Sequence, residues 1–111
     1  MDIDNANTYN GANVQLFNSN NTAAQKFSIK AVGDGYYKIQ CEATGKVLDV
    51  SDGSMASGTN VQQFSWNGSA AQCWKFVDAG NGNYYIQSKL GTVLDIQNGT
   101  IRAQNNCLLY T

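Results

Sequence analysis

Apolar residues in this chain come in short strings, never in a stripe of helical period. Four such strings lie close together in the middle of the sequence: Tyr36–Gln40, Lys46–Ser51, Asn60–Ser65 and Cys73–Val77. Each is a few residues long and is bounded by Gly, Asn, Asp or Ser, which predicts short strands joined by turns. Within Leu48-Asp49-Val50 a two-residue period sends Leu48 and Val50 to one face and Asp49 to the other. Along Val61-Gln62-Gln63-Phe64, Gln62 and Phe64 share the face opposite Val61. Leu48, Val50 and Val61 are therefore expected in the core, with Asp49, Gln62 and Phe64 facing outward. Trp74, Phe27, Phe76 and Ile29 are expected in the core as well.

The strings repeat. Residues 2–40 lie over residues 49–87 at a constant shift of 47 without a gap, and 15 of the 39 positions are identical. Asp2 meets Asp49, Asn13-Val14-Gln15 meets Asn60-Val61-Gln62, Phe17 meets Phe64, and Ala23-Ala24-Gln25 meets Ala70-Ala71-Gln72. A third copy follows at a shift of 46, carrying Val47-Leu48-Asp49-Val50 onto Val93-Leu94-Asp95-Ile96 and Phe64 onto Tyr110. A unit this short cannot bury its own apolar face, so about three must close around one shared core. Three copies of four strands predict a six-stranded barrel capped by three hairpins, a closure that also removes open sheet edges.

Composition narrows the chemistry. The chain has 111 residues, a net charge of −1 and no histidine. The balanced charge gives no electrostatic reason to expect nucleic acid or an anionic membrane. No apolar run approaches the ~20 residues of a membrane helix, and no leader of the signal-peptide kind is visible at the start. Lack of histidine excludes the catalytic triads and zinc sites that depend on it. Cys41, Cys73 and Cys107 have spacings that fit no metal knuckle and are read as buried free thiols. No metal or cofactor is implied.

The strings Val47-Leu48-Asp49-Val50, Gly58-Thr59-Asn60-Val61-Gln62-Gln63-Phe64 and Ala71-Gln72-Cys73-Trp74-Lys75-Phe76 together resemble the ricin-B (R-type) lectin repeat, with its Gln-x-Trp signature at Gln72-Cys73-Trp74 and a weaker form at Gln25-Lys26-Phe27. The wording is most similar to bacterial modules appended to secreted enzymes or surface proteins. The resemblance implies an all-β β-trefoil with a shallow sugar pocket on each repeat, acting outside the cell or at its surface, and no enzyme activity. It also implies the roles. An Asp on the second strand takes sugar hydroxyls, a Gln on the third strand assists, and an aromatic two residues later stacks on the ring. A polar residue just before Gln-x-Trp completes the pocket.

The carbohydrate-binding candidates are then Asp49, Gln62 and Phe64, with Trp66 and Asn67 as a wall, and Asp2, Gln15 and Phe17 in the first copy. A carboxylate accepts two hydroxyl hydrogens, an amide both donates and accepts, and an aromatic ring covers the apolar face of a pyranose. For Phe64 and Phe17 stacking and core packing both remain open. Gln72 and Gln25 are read as structural amides. The pattern departs from the family at Ala71 and Ala24, where a polar residue is expected, and at Leu108, which replaces the Gln of the third copy. The family's disulfide is absent, with Val47 and Ser65 or Trp66 near its positions. These departures keep a second reading alive, a trefoil without sugar sites that serves as a structural or protein-binding module. A glycosidase is the weakest reading, because the aspartates recur one per repeat and not as a flanking pair.

The register gives one domain over 1–111, with repeats at about 1–35, 36–82 and 83–111. It lacks the first strand of repeat one and the last strand of repeat three. Unpaired backbone is accordingly expected near Met1 and Thr111, open to a second copy or an exchanged strand.

Overall fold

A computed structural model describes residues 2–3, 8–12, 14–16, 26–56, 59–96 and 105–110. These residues form ten strands: β1 (Asp2–Ile3), β2 (Val14–Leu16), β3 (Phe27–Gly33), β4 (Tyr36–Cys41), β5 (Val47–Val50), β6 (Thr59–Phe64), β7 (Trp74–Gly80), β8 (Asn83–Ser88), β9 (Val93–Ile96) and β10 (Asn105–Tyr110). Helix among the described residues is limited to two 3-10 turns, Ser51–Gly53 and Ala70–Gln72. The strands sit where the repeat predicts. The bounds of β7 and β8 are those of β3 and β4 moved by 47, and the bounds of β10 are those of β6 moved by 46. The fourth strand of the middle copy runs on to Gly80 because its hairpin with β8 continues to the turn. There a register shift between Asp78 and Gly80 matches the one between Ala31 and Gly33. Both turns place two successive residues at positive φ, Asp34-Gly35 and Asn81-Gly82, the geometry that matches the twist of a two-residue hairpin.

Two kinds of hairpin make up the molecule. β3–β4 and β7–β8 are barrel hairpins, joined through the pairing of Tyr37 with Trp74. β1–β2, β5–β6 and β9–β10 are cap hairpins, and they share one register: Asp2 opposite Gln15, Asp49 opposite Gln62, Asp95 opposite Leu108. The third strands of the three copies close a ring. β10 pairs with β2 at Asn105–Leu16 and with β6 at Leu108–Asn60. The lead-in to β2 completes it, as Gly11 N–H donates to Gln63 C=O at 2.8 Å and Gln63 N–H donates to Ala12 C=O at 2.9 Å. Gly11 opens this contact at φ +90°, in the left-handed region that a side chain would strain.

Beneath the ring lies the core of Ile3, Ala12, Val14, Ile39, Cys41, Leu48, Val50, Val61, Ala71 and Trp74. Leu48, Val50 and Val61 are fully buried, as the alternation predicts. So are Ile3 and Val14, the repeat counterparts of Val50 and Val61. Trp74 is fully buried, and its indole N–H donates to Leu48 C=O at 3.2 Å. Phe27 and Phe76 pack against this core while partly exposed. Ile29 corrects the expectation, being 53% exposed. Among the described residues β3 has one partner strand, β4, so its inward side chains are covered from one side only. Ile29 instead borders an apolar hollow of about 540 Å³ with Tyr37, Phe76 and Tyr84. Cys41 and Cys73 are buried and form no disulfide with one another. Met1, Phe17, Gln25 and Thr111 lie outside the described residues.

Gln63 is a fully buried amide at a position where the other two copies carry Leu16 and Leu109. It is satisfied, accepting from Thr44 Oγ1 at 2.9 Å and donating to Tyr9 C=O at 2.9 Å. It therefore ties two loops to the ring without leaving a buried donor unpaired.

Trp74→Phe should separate packing from hydrogen bonding. It keeps most of the ring but leaves Leu48 C=O without its donor, at an expected cost of about 1–3 kcal/mol. Trp74→Ala adds a cavity and should cost about 3–5 kcal/mol. Urea unfolding of both variants beside the parent checks the order, and a Trp74→Phe midpoint equal to the parent's would show that the indole N–H contributes nothing.

Candidate functional site

A hollow of about 400 Å³ opens beside the second cap hairpin, lined in part by Asp49, Gln62, Phe64 and Asn67. Four of the five residues expected in the second copy therefore meet. Register explains the first pair: Asp49 stands opposite Gln62 on neighbouring strands, and Phe64 follows Gln62 by the two residues that return a side chain to the same face. Asn67 comes from the loop after β6, where its Oδ1 accepts from Ser69 N–H at 3.0 Å. Trp66 stands outside the lining, 39% exposed, with the Lys38 ammonium 4.9 Å from its ring centroid.

Asp49 is set deeper than the alternation suggests. It points away from the core but is only 6% exposed, because the turn Ala70–Gln72 packs over it. Gln72 Nε2 donates to Asp49 Oδ2 at 2.7 Å and to Ser65 C=O at 2.9 Å, and Gln72 Oε1 accepts from Asn67 N–H at 2.7 Å. The Gln72 amide is thus fully used and holds the carboxylate, the end of β6 and the Asn67 loop together. Gln62 Nε2 reaches Asp49 Oδ1 at the longer distance of 3.4 Å, a loose contact that a ligand hydroxyl can displace. Burial pushes the Asp49 carboxyl above its ordinary value of 3.8; the Gln72 and Gln62 amides pull it back, and the Asp52 carboxylate adds to the rise.

The rest of the lining comes from residues that the sequence reading did not single out, Asp52, Gly53, Ser69, Ala70 and Leu90. Asp52 sits at φ +55° in the 3-10 turn after β5. Leu90 belongs to the loop between β8 and β9 and so is contributed by the third copy; nothing in the sequence of the second copy points to it. Ala71, the position where the family pattern expects a polar group, does border the hollow, and Asn67 and Ser69 bring polar atoms to the same rim. In the first copy the backbone sets Asp2 opposite Gln15 as in the second; Phe17 lies outside the described residues. In the third copy the partner of Asp95 is Leu108. No group of three or more His, Cys, Asp or Glu suited to a metal ion occurs among the described residues.

No curated protein sequence matches the chain. Among solved structures, a designed three-fold symmetric protein, ThreeFoil, is 36% identical with a TM-score of 0.97; the match covers 100% of this chain and 80% of that one. An exo-β-1,3-galactanase from Clostridium thermocellum is 30% identical with a TM-score of 0.94, and there the chain spans 24% of the enzyme. The Rhizoctonia solani agglutinin shares the fold at 18% identity and a TM-score of 0.86, over 99% of this chain and 75% of the agglutinin. A family model described as a ricin-type beta-trefoil lectin domain-like matches residues 1–64 and again 31–110. With that double match spanning the repeats and the Asp–Gln pairing shared by the first two cap hairpins, this chain is a member of the ricin-type β-trefoil lectin-like family.

Proposed function

We propose that residues 1–111 form a carbohydrate-binding module without catalytic activity of its own, a unit of a larger secreted or cell-surface protein. The observation that carries this reading is the convergence of Asp49, Gln62, Phe64 and Asn67 on one open hollow. Asp49 accepts hydrogens from two neighbouring sugar hydroxyls through the lone pairs its amide partners leave free. Gln62 swings from its loose contact to donate or accept at one of them. The Phe64 ring covers the apolar face of the pyranose. Asn67 and Ser69 supply the polar rim that Ala71 lacks. Lectin relatives such as the Polyporus squamosus lectin, solved with a sialylated glycan epitope at 18% identity, are in keeping with this use of the fold. The second reading, a trefoil serving as a structural or protein-binding module, draws on Ala71 and Leu108, which weaken individual pockets.

Shallow hollows bury little area, so one site should bind near 1 mM, about −4 kcal/mol. Useful affinity then arises when several sites engage one polymer. The third copy should bind least, because Leu108 cannot bond a hydroxyl there. NMR titration with a panel of monosaccharides and polysaccharides tests this. Shifts clustered at Asp49, Gln62 and Asn67 support the sugar reading, and an inert spectrum across the panel leaves the second one.

Asp49→Asn removes the charged acceptor and should weaken binding by at least about tenfold. Asp49→Ala should do the same, and with the residue this buried it should also cost stability. The Gln72 and Gln62 amides lose an acceptor, worth about 1–3 kcal/mol for a buried unsatisfied group. Gln72→Ala strands Ser65 C=O, Asn67 N–H and Asp49 Oδ2 together, so it should lower both the melting temperature and sugar affinity. Loss of stability with unchanged affinity would show that Gln72 does not position the carboxylate.

Acid pH should act on binding and stability in opposite senses. The folded state holds the Asp49 proton more tightly than the unfolded chain does. As pH falls through the raised value towards 3.8 the folded form takes up a proton first, and this group's contribution to stability grows. Over the same window the hollow loses its anionic acceptor and binding falls. Comparing the parent with Asp49→Asn by thermal unfolding and titration isolates the effect; identical pH profiles would assign the dependence to other groups.

A further inference from the structure

Outside the hollow, one face of the barrel carries cations and aromatic rings in alternation. Tyr36 and Lys38 project from the same face of β4, two residues apart and so ~7 Å from one another. The Lys38 ammonium lies 4.9 Å from the Trp66 ring centroid, while those of Lys75 and Lys89 lie 5.8 Å and 5.1 Å from the ring of Tyr36. Lys30 stands opposite Lys38 in the β3–β4 register and so shares its side of the sheet, which brings four of the chain's seven cationic residues to one face of a protein whose net charge is −1. Lys75 and Lys89 are exposed, Lys38 is half-buried, and among the described residues none of the three is held by a carboxylate. The face adjoins the hollow at two points of its rim. Trp66 precedes Asn67, and Lys89 precedes Leu90, both of which line the hollow. The Lys89 N–H is anchored to Cys73 C=O at 2.9 Å, just beyond the turn that covers Asp49.

We propose that this lysine–aromatic face is a second binding surface, for the anionic groups of an extended acidic polysaccharide. The proposal rests on the sugar-binding reading of the hollow and extends it to a substrate class. A pyranose at Asp49 has to be uncharged, because the carboxylates of Asp49 and Asp52 repel an acid group there. Residues further along the same polymer cross the rim at Asn67 or Leu90 and meet ammonium groups at Lys38, Lys75 and Lys89. The rings of Trp66 and Tyr36 fix those lysine stems and offer flat apolar surfaces to the sugar rings between them. Uronate and sulfate present the same chemistry to this face, oxygen-bearing anions spaced along a chain. The ligand then alternates uncharged and acidic residues, the former for the hollow and the latter for the face.

Affinity electrophoresis of the whole chain tests this in gels containing a neutral galactan, a uronate-bearing polysaccharide or a sulfated one. The comparison sets the parent against the triple variant Lys38→Gln/Lys75→Gln/Lys89→Gln. A control of equal charge, Lys26→Gln/Lys46→Gln/Arg102→Gln, leaves these three lysines and Lys30 in place. At low salt the acidic polymers should retard the parent about tenfold more strongly than the neutral one, and that excess should vanish as salt rises. The first triple variant should lose the excess and keep its neutral binding, while the control keeps both. A preference for uronate or for sulfate identifies the source of the anion. Trp66 gives an independent signal, since the other tryptophan, Trp74, is fully buried: acidic polymer should shift tryptophan emission in the parent and not in Trp66→Phe. Equal loss in the two triple variants, or no excess for acidic polymers, overturns the proposal. Loss of neutral binding in the parent with the acidic excess intact refutes the reading of the hollow and leaves the face standing.

Discussion

A single amide–carboxylate contact organises the functional end of this molecule. Gln72 donates to a buried Asp49 at 2.7 Å and spends its remaining bonds on Ser65 and on the Asn67 loop. A buried carboxylate is costly unless its oxygens are bonded, and the side-chain bonds Asp49 receives among the described residues come from the amides of Gln72 and Gln62. The charge is stabilised but not neutralised, as the proposed sugar site requires. Replacement of Gln72 by a lysine or arginine would satisfy the oxygens and cancel the charge on which the proposed sugar site depends. The Gln-x-Trp signature thus has two separate physical duties two residues apart. Gln72 holds the carboxylate, and Trp74 fills the core and binds the strand that bears it through Leu48 C=O.

The strands were legible because their evidence is local. Two-residue alternation and a gapless shift specify strand and turn lengths, and β3 and β7 came out equal to the residue. The shared face of Gln62 and Phe64, opposite Val61, followed from the same periodicity. What stayed hidden depends on neighbours far along the chain. The depth of Asp49 is set by a turn 23 residues later. The burial of Gln63 makes sense only with Tyr9, 54 residues away, and Thr44, 19 away. Ile29 reads as core from its apolar character, but coverage is a property of the adjoining strand. Trp66 looked like a wall of the hollow because it adjoins Asn67, and only the fold shows Lys38 lying across its ring. Leu90 reaches the hollow from another repeat, beyond any reading confined to one copy.

Repetition also explains how the three copies can differ in chemistry on one backbone. The backbone register is the same in the three cap hairpins, so each copy has the scaffold for a pocket whatever its side chains. Leu108 changes the chemistry of the third copy without disturbing the pairing that places it. A substitution at such a position touches one site and leaves the shared core alone. Pockets can therefore diverge one at a time while Ile3, Val14, Val50 and Val61 keep the common packing.

The ring of third strands bears on the order in which the chain assembles. The hairpins β3–β4 and β7–β8 pair residues close in sequence, and each turn needs only a pair of residues at positive φ. The ring instead joins Gly11 to Gln63, Asn60 to Leu108 and Leu16 to Asn105, closing loops of some fifty to ninety residues. Loop entropy must be overcome before such contacts return anything, and long-range pairing of this kind slows folding. The hairpins can therefore form early and independently. Cooperativity enters only when the three copies meet at the ring, so the joining of the cap hairpins follows the formation of each hairpin.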